Sequence, residues 1–214
     1  MGVFVVFEGL DGSGKSTQAR RLYEVLTEEG VSVALFHEPG GTGLGAEIRK
    51  SLKSESITGI TPVSELFLFA AARAQLIKEE LGPAIIQNQV VLCDRFTAST
   101  VAYQGFARGI PLDVVTKINE IATGGTVPDL TILLDISPEN ALERRKSRYD
   151  SDKSSVQGNN NERFEKEPLS FHRKVHDGYA KMVQEDPQRW FVLDATLAAD
   201  ALAICIKEKV KKLL

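Results

Sequence analysis

The sequence is short of the groups that several common chemistries require. Its two cysteines, Cys93 and Cys205, stand in no metal-like or redox-like spacing, and both read as free core thiols of a reducing compartment. The three histidines are scattered, and His172 and His176, four apart on one helix, lack a third metal ligand. No apolar run approaches 18 residues, so no membrane span is expected, and Met1-Gly2-Val3 enters an apolar strand without a basic leader. A cytoplasmic protein is the expectation. Positive charge is not in excess: 26 Lys and Arg face 29 Asp and Glu, giving a net charge of -3, which argues against nucleic acid as a partner. An N-K-x-D-like guanine reader, an internal repeat and a heptad are all missing.

What is present fits one α/β domain, since 214 residues with 43% hydrophobic content suffice for a real core. The most informative stretch is Gly9-Leu10-Asp11-Gly12-Ser13-Gly14-Lys15-Ser16-Thr17, which satisfies G-x-x-x-x-G-K-[ST]. An apolar run, Val3 to Phe7, precedes it, and a helix pattern follows. The glycines let successive backbone N–H groups converge on one point, where the next helix adds its positive end. That point is a seat for a polyphosphate. Lys15 is expected to reach the outer phosphates and Ser16 to offer its hydroxyl to Mg²⁺.

Five strands are expected, at Val3 to Phe7, Val31 to Phe36, Val90 to Cys93, Leu130 to Ile136 and Trp190 to Leu193, with helices between them. The pattern predicts a P-loop three-layer fold, a parallel sheet covered by helices on both faces through right-handed crossovers. The second strand ends at Glu38-Pro39-Gly40-Gly41-Thr42, a loop at the carboxyl edge where such sheets bind ligands. Ser51 to Thr61 is polar and weakly patterned. From Pro62 a helix runs toward Gly82-Pro83, with Phe69 and Arg73 on one face. They either stack on and read a planar ring, or are a core Phe beside a surface Arg.

The third strand ends in Asp94-Arg95-Phe96, where the carboxylate suits the Mg²⁺ side and the guanidinium suits a phosphate, a structural ion pair being the plain alternative. Ser99 to Gly105 reads as a helix of hydroxyls, a phenol and an amide fit for a small polar ligand. Pro138 starts a helix carrying Arg144, Arg145, Lys146 and Arg148, with Arg144 and Arg148 on one face, followed by a mobile loop over Tyr149 to Asn161. A solvated basic face and a closing lid over about 144–163 both fit. Glu162 onward resumes helix, and the last helix buries Leu202, Cys205, Ile206 and Val210.

A P-loop with an acid-arginine strand end and a basic segment fits a small nucleotide kinase. The chain resembles the thymidylate kinases from Val3 to Thr196. The carriers are Phe7 to Thr17, Glu38-Pro39-Gly40-Gly41-Thr42, Phe69 with Arg73, Asp94-Arg95-Phe96, Ser99-Thr100, Tyr103-Gln104-Gly105 and Pro128-Asp129-Leu130. The resemblance implies transfer of the ATP γ-phosphoryl group to dTMP with Mg²⁺, in a homodimer. It implies that Phe69 stacks on thymine, Arg73 donates to a ring carbonyl, and Ser99, Thr100 and Gln104 surround the base. Tyr103 would stand where a ribose 2′-OH would go. Asp11 would approach the sugar 3′-OH and the metal, Arg95 and Arg49 would hold the acceptor phosphate, and Glu38 and Pro39 would line the site. Some members carry an arginine where this chain has Gly12; the others take a cation from the lid. This chain resembles the second kind, with Arg144, Arg148 and Arg163 as the candidates. A deoxynucleoside kinase with Glu38 as base, a kinase of another deoxynucleotide, and a nucleotide-binding regulator without turnover are the competing readings.

Overall fold

The computed structural model describes residues 2–54, 57, 59–152 and 163–214, apart from the side chains at 148–152 and 165. Five parallel strands, β1 (Val3–Glu8), β2 (Val33–His37), β3 (Val90–Asp94), β4 (Leu130–Asp135) and β5 (Trp190–Asp194), lie in the order β2-β3-β1-β4-β5. The central strands are the apolar runs and are buried on both faces, while β2 and β5 at the edges are only partly covered. Because all five run the same way, Glu8, His37, Asp94, Asp135 and Asp194 end along one edge. That edge carries the site.

Strand alternation divides the core. Val5 and Phe7 pack with Leu22 and Leu26 of α1 (Lys15–Glu28), Val175 and Tyr179 of α8 (Leu169–Glu185) and Leu202 and Ile206 of α9 (Ala199–Lys211). Phe4 and Val6 pack with Leu76, Leu81 and Phe96 in a second cluster. Each such side chain contributes roughly 1.5–3 kcal/mol by its burial. Cys93 is in this core, but Cys205 faces outward on α9, because Leu202, Ile206 and Val210 take its inner face; the expected burial of Cys205 is corrected.

Helix α2 (Gly43–Lys53) occupies a stretch in which the sequence predicts no helix, ending within the supposedly unpatterned region after Ser51. Its signals are short: Thr42 caps it by accepting from Gly45 N at 3.0 Å, and Ile48 and Leu52 sit four apart on the buried face. Helix α3 (Pro62–Leu76) starts at the predicted proline and runs through a π-helical turn, Ile77–Leu81, into α4 (Gly82–Gln87). Helix α5 (Thr97–Thr100) passes into a second π-helical turn, Val101–Ala107, before α6 (Leu112–Thr123). Helix α7 (Pro138–Asp152) is longer than expected, so Tyr149 to Asp152 are helical; the rest of the predicted loop, 153–161, lies outside the described residues. A 3₁₀ turn, Arg163–Lys166, then leads to α8.

Candidate active site

The loop from Gly9 to Thr17 joins β1 to α1 at the carboxyl edge. Gly14 caps the helix with φ 97°, a conformation that favours glycine. Gly12 has φ 95°, and a Cβ there would lie 2.6 Å from the carbonyl oxygen of Ala141 on α7. Lys15 is buried and its Nζ donates to Leu10 O at 2.7 Å. Burial, reinforced by the neighbouring Arg95 charge, lowers its ammonium to about 8. The Ser13 hydroxyl is buried in the same loop without a partner. An unmet polar atom inside a cradle of backbone amides fits a phosphate.

Beneath the loop, the Ser16 hydroxyl donates to Asp94 Oδ2, and Asp94 Oδ1 is buried without a partner. One hydroxyl and one carboxylate with a vacant oxygen fit Mg²⁺, which keeps waters and phosphate oxygens as its other ligands. Among the described residues no group of three or more His, Cys, Asp or Glu gathers to hold a metal by protein alone. Asp11 is differently placed. Its Oδ1 accepts from Arg95 Nη2 at 2.6 Å and its Oδ2 from Tyr103 OH at 3.1 Å, so its oxygens are taken up by those two side chains rather than joining Ser16 and Asp94 as expected for a metal ligand. Burial raises the Asp11 carboxyl, but Arg95 and Lys15 together hold it well below the usual carboxylate range.

A cavity opens beside the loop, lined by Asp11, Glu38, Pro39, Arg49, Phe69, Arg73, Arg95, Ser99, Thr100, Tyr103 and Gln104, together with Phe164. The loop hollow is lined by Gly12, Lys15, Ser16, Thr17, Asp94 and Arg145, and shares Asp11, Glu38, Arg49, Lys53 and Arg95 with the cavity. The two hollows therefore meet at two carboxylates, two guanidiniums and the Lys53 ammonium. Arg95 has φ 73°, unusual for a residue with a side chain, and its fork is fixed from several sides. Nη1 donates to Ser99 Oγ at 2.9 Å, and the guanidinium carbon lies 5.2 Å from the Tyr103 ring centre. Glu8, wholly buried, braces this arrangement: it accepts from Phe96 N, Ser99 N, Ser99 Oγ and, at 2.8 Å, Tyr179 OH.

Arg73 is 2% exposed, so the alternative of a surface arginine does not hold. It donates to Glu38 at 2.7 Å, Asn119 at 2.8 Å, Thr100 Oγ1 at 3.0 Å and Phe96 O at 3.1 Å. Glu38 keeps Oε1 buried without a partner, and burial pushes its carboxyl up to about 7 despite Arg73. Arg49 donates to Pro39 O at 2.9 Å. Phe69 lies 6.1 Å from the ring of Phe164, which in turn stands edge-on to Tyr103.

The three lid candidates, Arg144, Arg148 and Arg163, separate, and Arg145 joins them. Arg144 lies in a hollow with Asn140, Glu143, Ser147 and Thr196. Arg145, one residue on, faces the phosphate loop, 3.2 Å by its Cγ from where a Gly12 Cβ would stand. The side chain of Arg148 lies outside the described residues. Arg163, expected as a transition-state cation, pairs here with Glu65, a fully buried carboxylate that needs compensating charge. Sequence reasoning passed over Glu65, Arg145 and Phe164 as site residues. For Glu65 a signal existed, since it stands four and eight residues before Phe69 and Arg73 on one helix face.

The family model described as Thymidylate kinase matches residues 7–203. The thymidylate kinase of Dehalococcoides mccartyi is 44% identical over 214 residues, covering 100% of this chain and 98% of that protein. The thymidylate kinase of Geotalea uraniireducens is 43% identical, over 92% of this chain and 90% of its own. Among solved structures, the thymidylate kinase of Ehrlichia chaffeensis superposes with a TM-score of 0.73 at 29% identity, covering 99% of this chain and 98% of its own.

Proposed function

Because the chain belongs to the thymidylate kinase family, we propose how its residues divide the work of that family's reaction. The enzyme moves the γ-phosphoryl group of ATP to dTMP, giving dTDP and ADP for dTTP synthesis. The carrying observation is that the loop hollow and the acceptor cavity share Asp11, Glu38, Arg49 and Arg95. A donor on one side and an acceptor phosphate on the other meet there without crossing bulk water.

The acceptor needs no general base. A phosphomonoester has a second pKa near 6, so dTMP arrives mostly as a dianion and is already nucleophilic. The barrier is repulsion between two anions, and the site answers it with fixed cations. Lys15 leaves Leu10 O for the β- and γ-phosphates, the amides of Gly9 to Thr17 wrap them, and Arg95, helped by Arg49, holds the acceptor phosphate. Ser16 and Asp94 would hold Mg²⁺, which when bound would supply charge neutralisation at the phosphate oxygens. Asp11 keeps Arg95 aimed and, with Tyr103, meets the sugar. Phe69 stacks on the thymine, with Arg73, Ser99, Thr100 and Gln104 around its edge. Arg144 lies toward the nucleoside of ATP. Among the described side chains of the lid candidates, Arg145 is the cation this geometry favours, since it lines the loop hollow.

The chain works as one nucleoside monophosphate kinase unit whose segment over 144–163 closes on the phosphates. It acts in the cytoplasm, which its two unpaired cysteines support. Among the described residues no helix is long and apolar enough to cross a membrane. It acts as a homodimer: Val63 and Phe67 on α3 and Ile121 on α6, two helices that pack together, expose apolar side chains of the kind a symmetric interface covers. The comparisons favour dTMP phosphorylation over a nucleoside kinase or a silent nucleotide binder.

The test is ADP release from ATP with dTMP, dUMP, dGMP and thymidine offered in turn. The highest kcat/KM is expected for dTMP, with dUMP within about tenfold because a buried methyl contributes only ~1 kcal/mol. Thymidine is expected to give none. Turnover of thymidine above dTMP, or ADP release indifferent to the acceptor, would refute the assignment.

A further inference from the structure

Resting on this reading, we propose that Glu65 is a positioning residue that sets the hydrogen-bonding polarity of Gln104, and thereby makes the acceptor cavity select a pyrimidine imide over cytosine. Glu65 lies in the first turn of α3 with no exposed surface. It is surrounded by donors from three residues on two segments. Its Oε1 accepts from Gln104 Nε2 at 2.8 Å and from Arg108 Nε at 3.1 Å; its Oε2 accepts from Arg108 Nη2 at 3.2 Å and from Arg163 Nη2. Arg108 is held in turn by Glu167 at 2.6 Å and by the face of Phe171 at 4.6 Å. Two carboxylates against two guanidiniums leave the cluster without net charge, so it adds no net positive charge for the acceptor phosphate. Its effect is geometric.

An ionised carboxylate can only accept, so the nitrogen of the Gln104 amide must face Glu65. The carbonyl Oε1 is then the group Gln104 offers to the cavity it lines. Arg73 lines the same cavity, and four of its five N–H groups are engaged within the protein, leaving one on Nη1. The cavity thus presents a donor and an acceptor. A pyrimidine with a carbonyl beside a ring N–H satisfies both, whereas cytosine sets its N3 lone pair against the Gln104 carbonyl. A buried charge network is no requirement for stability, since apolar replacements of such clusters are often neutral. Fixing an amide that would otherwise flip freely is a reason to keep one.

Glu65→Gln tests this. Arg108 Nη2 and Arg163 hold the new carbonyl at the Oε2 position, so the new amide nitrogen takes the Oε1 position, gives up the Arg108 Nε contact and reverses Gln104. The ratio of kcat/KM for dTMP over dCMP is expected to fall by about 10- to 100-fold. The dTMP to dUMP ratio and the KM for ATP stay within about twofold, because dUMP shares the imide and ATP lies elsewhere; a merely structural defect would not separate these ratios. A folded Glu65→Gln that keeps the wild-type dTMP to dCMP ratio overturns the proposal. If that variant does not fold, Gln104→Met decides: loss of the ratio supports it, an unchanged ratio overturns it. Failure of the wild-type enzyme to use dTMP at all would instead sink the functional reading.

Discussion

Lys15 shows how one side chain is held in reserve. Buried against Arg95, its ammonium is lowered to about 8 and rests on the Leu10 carbonyl at 2.7 Å. Bringing phosphates to it restores a favourable environment for the charge, so ATP binding and protonation reinforce one another. The sign follows: the cation needed for capture is present below about pH 8 and is lost as pH rises through that value. We predict that kcat/KM for ATP declines above pH ~8, about tenfold per unit, while kcat at saturating ATP holds to higher pH because bound phosphates push the ammonium back up. A pH profile of both parameters checks it; a kcat/KM flat to pH 10 would contradict the assignment. Arg95, by contrast, keeps its charge at any working pH, and its unusual φ of 73° turns the fork toward Asp11 and Ser99.

At the scale of elements, helix α7 and the phosphate loop approach so closely that only glycine fits at position 12. An arginine could not be carried there without moving α7, and the same approach delivers Arg145 from the helix to the loop hollow. We predict that Arg145→Ala lowers kcat by roughly 10²- to 10³-fold, with the KM of either nucleotide changed less than about threefold, by analogy with an arginine acting on the transition state. Steady-state kinetics of the variant measure this, and full kcat would remove Arg145 from the mechanism. The sequence carried the phosphate loop, the strand ends and the Phe69–Arg73 face, because each rests on local spacing. It did not resolve Arg145 from Arg144, because adjacent helical residues point 100° apart and only the packing of α7 decides which faces the loop. Helix α2 was missed because its apolar face is narrow. Glu8 was illegible as a site residue, and Glu65 showed only its place on the Phe69–Arg73 face, because their partners, Ser99 and Tyr179 or Arg108 and Arg163, come from remote segments.

For the molecule as a whole, a parallel sheet gathers five strand ends on one edge, and the donor and acceptor hollows meet there over shared cations. Its opposite requirement is to cover the apolar residues left on α3 and α6. Phe67 at 55% and Ile121 at 72% exposure predict a self-complementary interface. Sedimentation should give twice the 23.5 kDa chain mass at micromolar concentration, with Phe67→Glu shifting it to the monomer; a monomeric wild type would reject the interface. The central claim is that the phosphoryl group passes straight from ATP to the acceptor across the Arg95 and Asp11 junction. Following γ-labelled ATP through a single turnover with dTMP tests it directly: the label should appear in dTDP, with almost none in inorganic phosphate. Label released chiefly as phosphate while dTMP remained unchanged would contradict it.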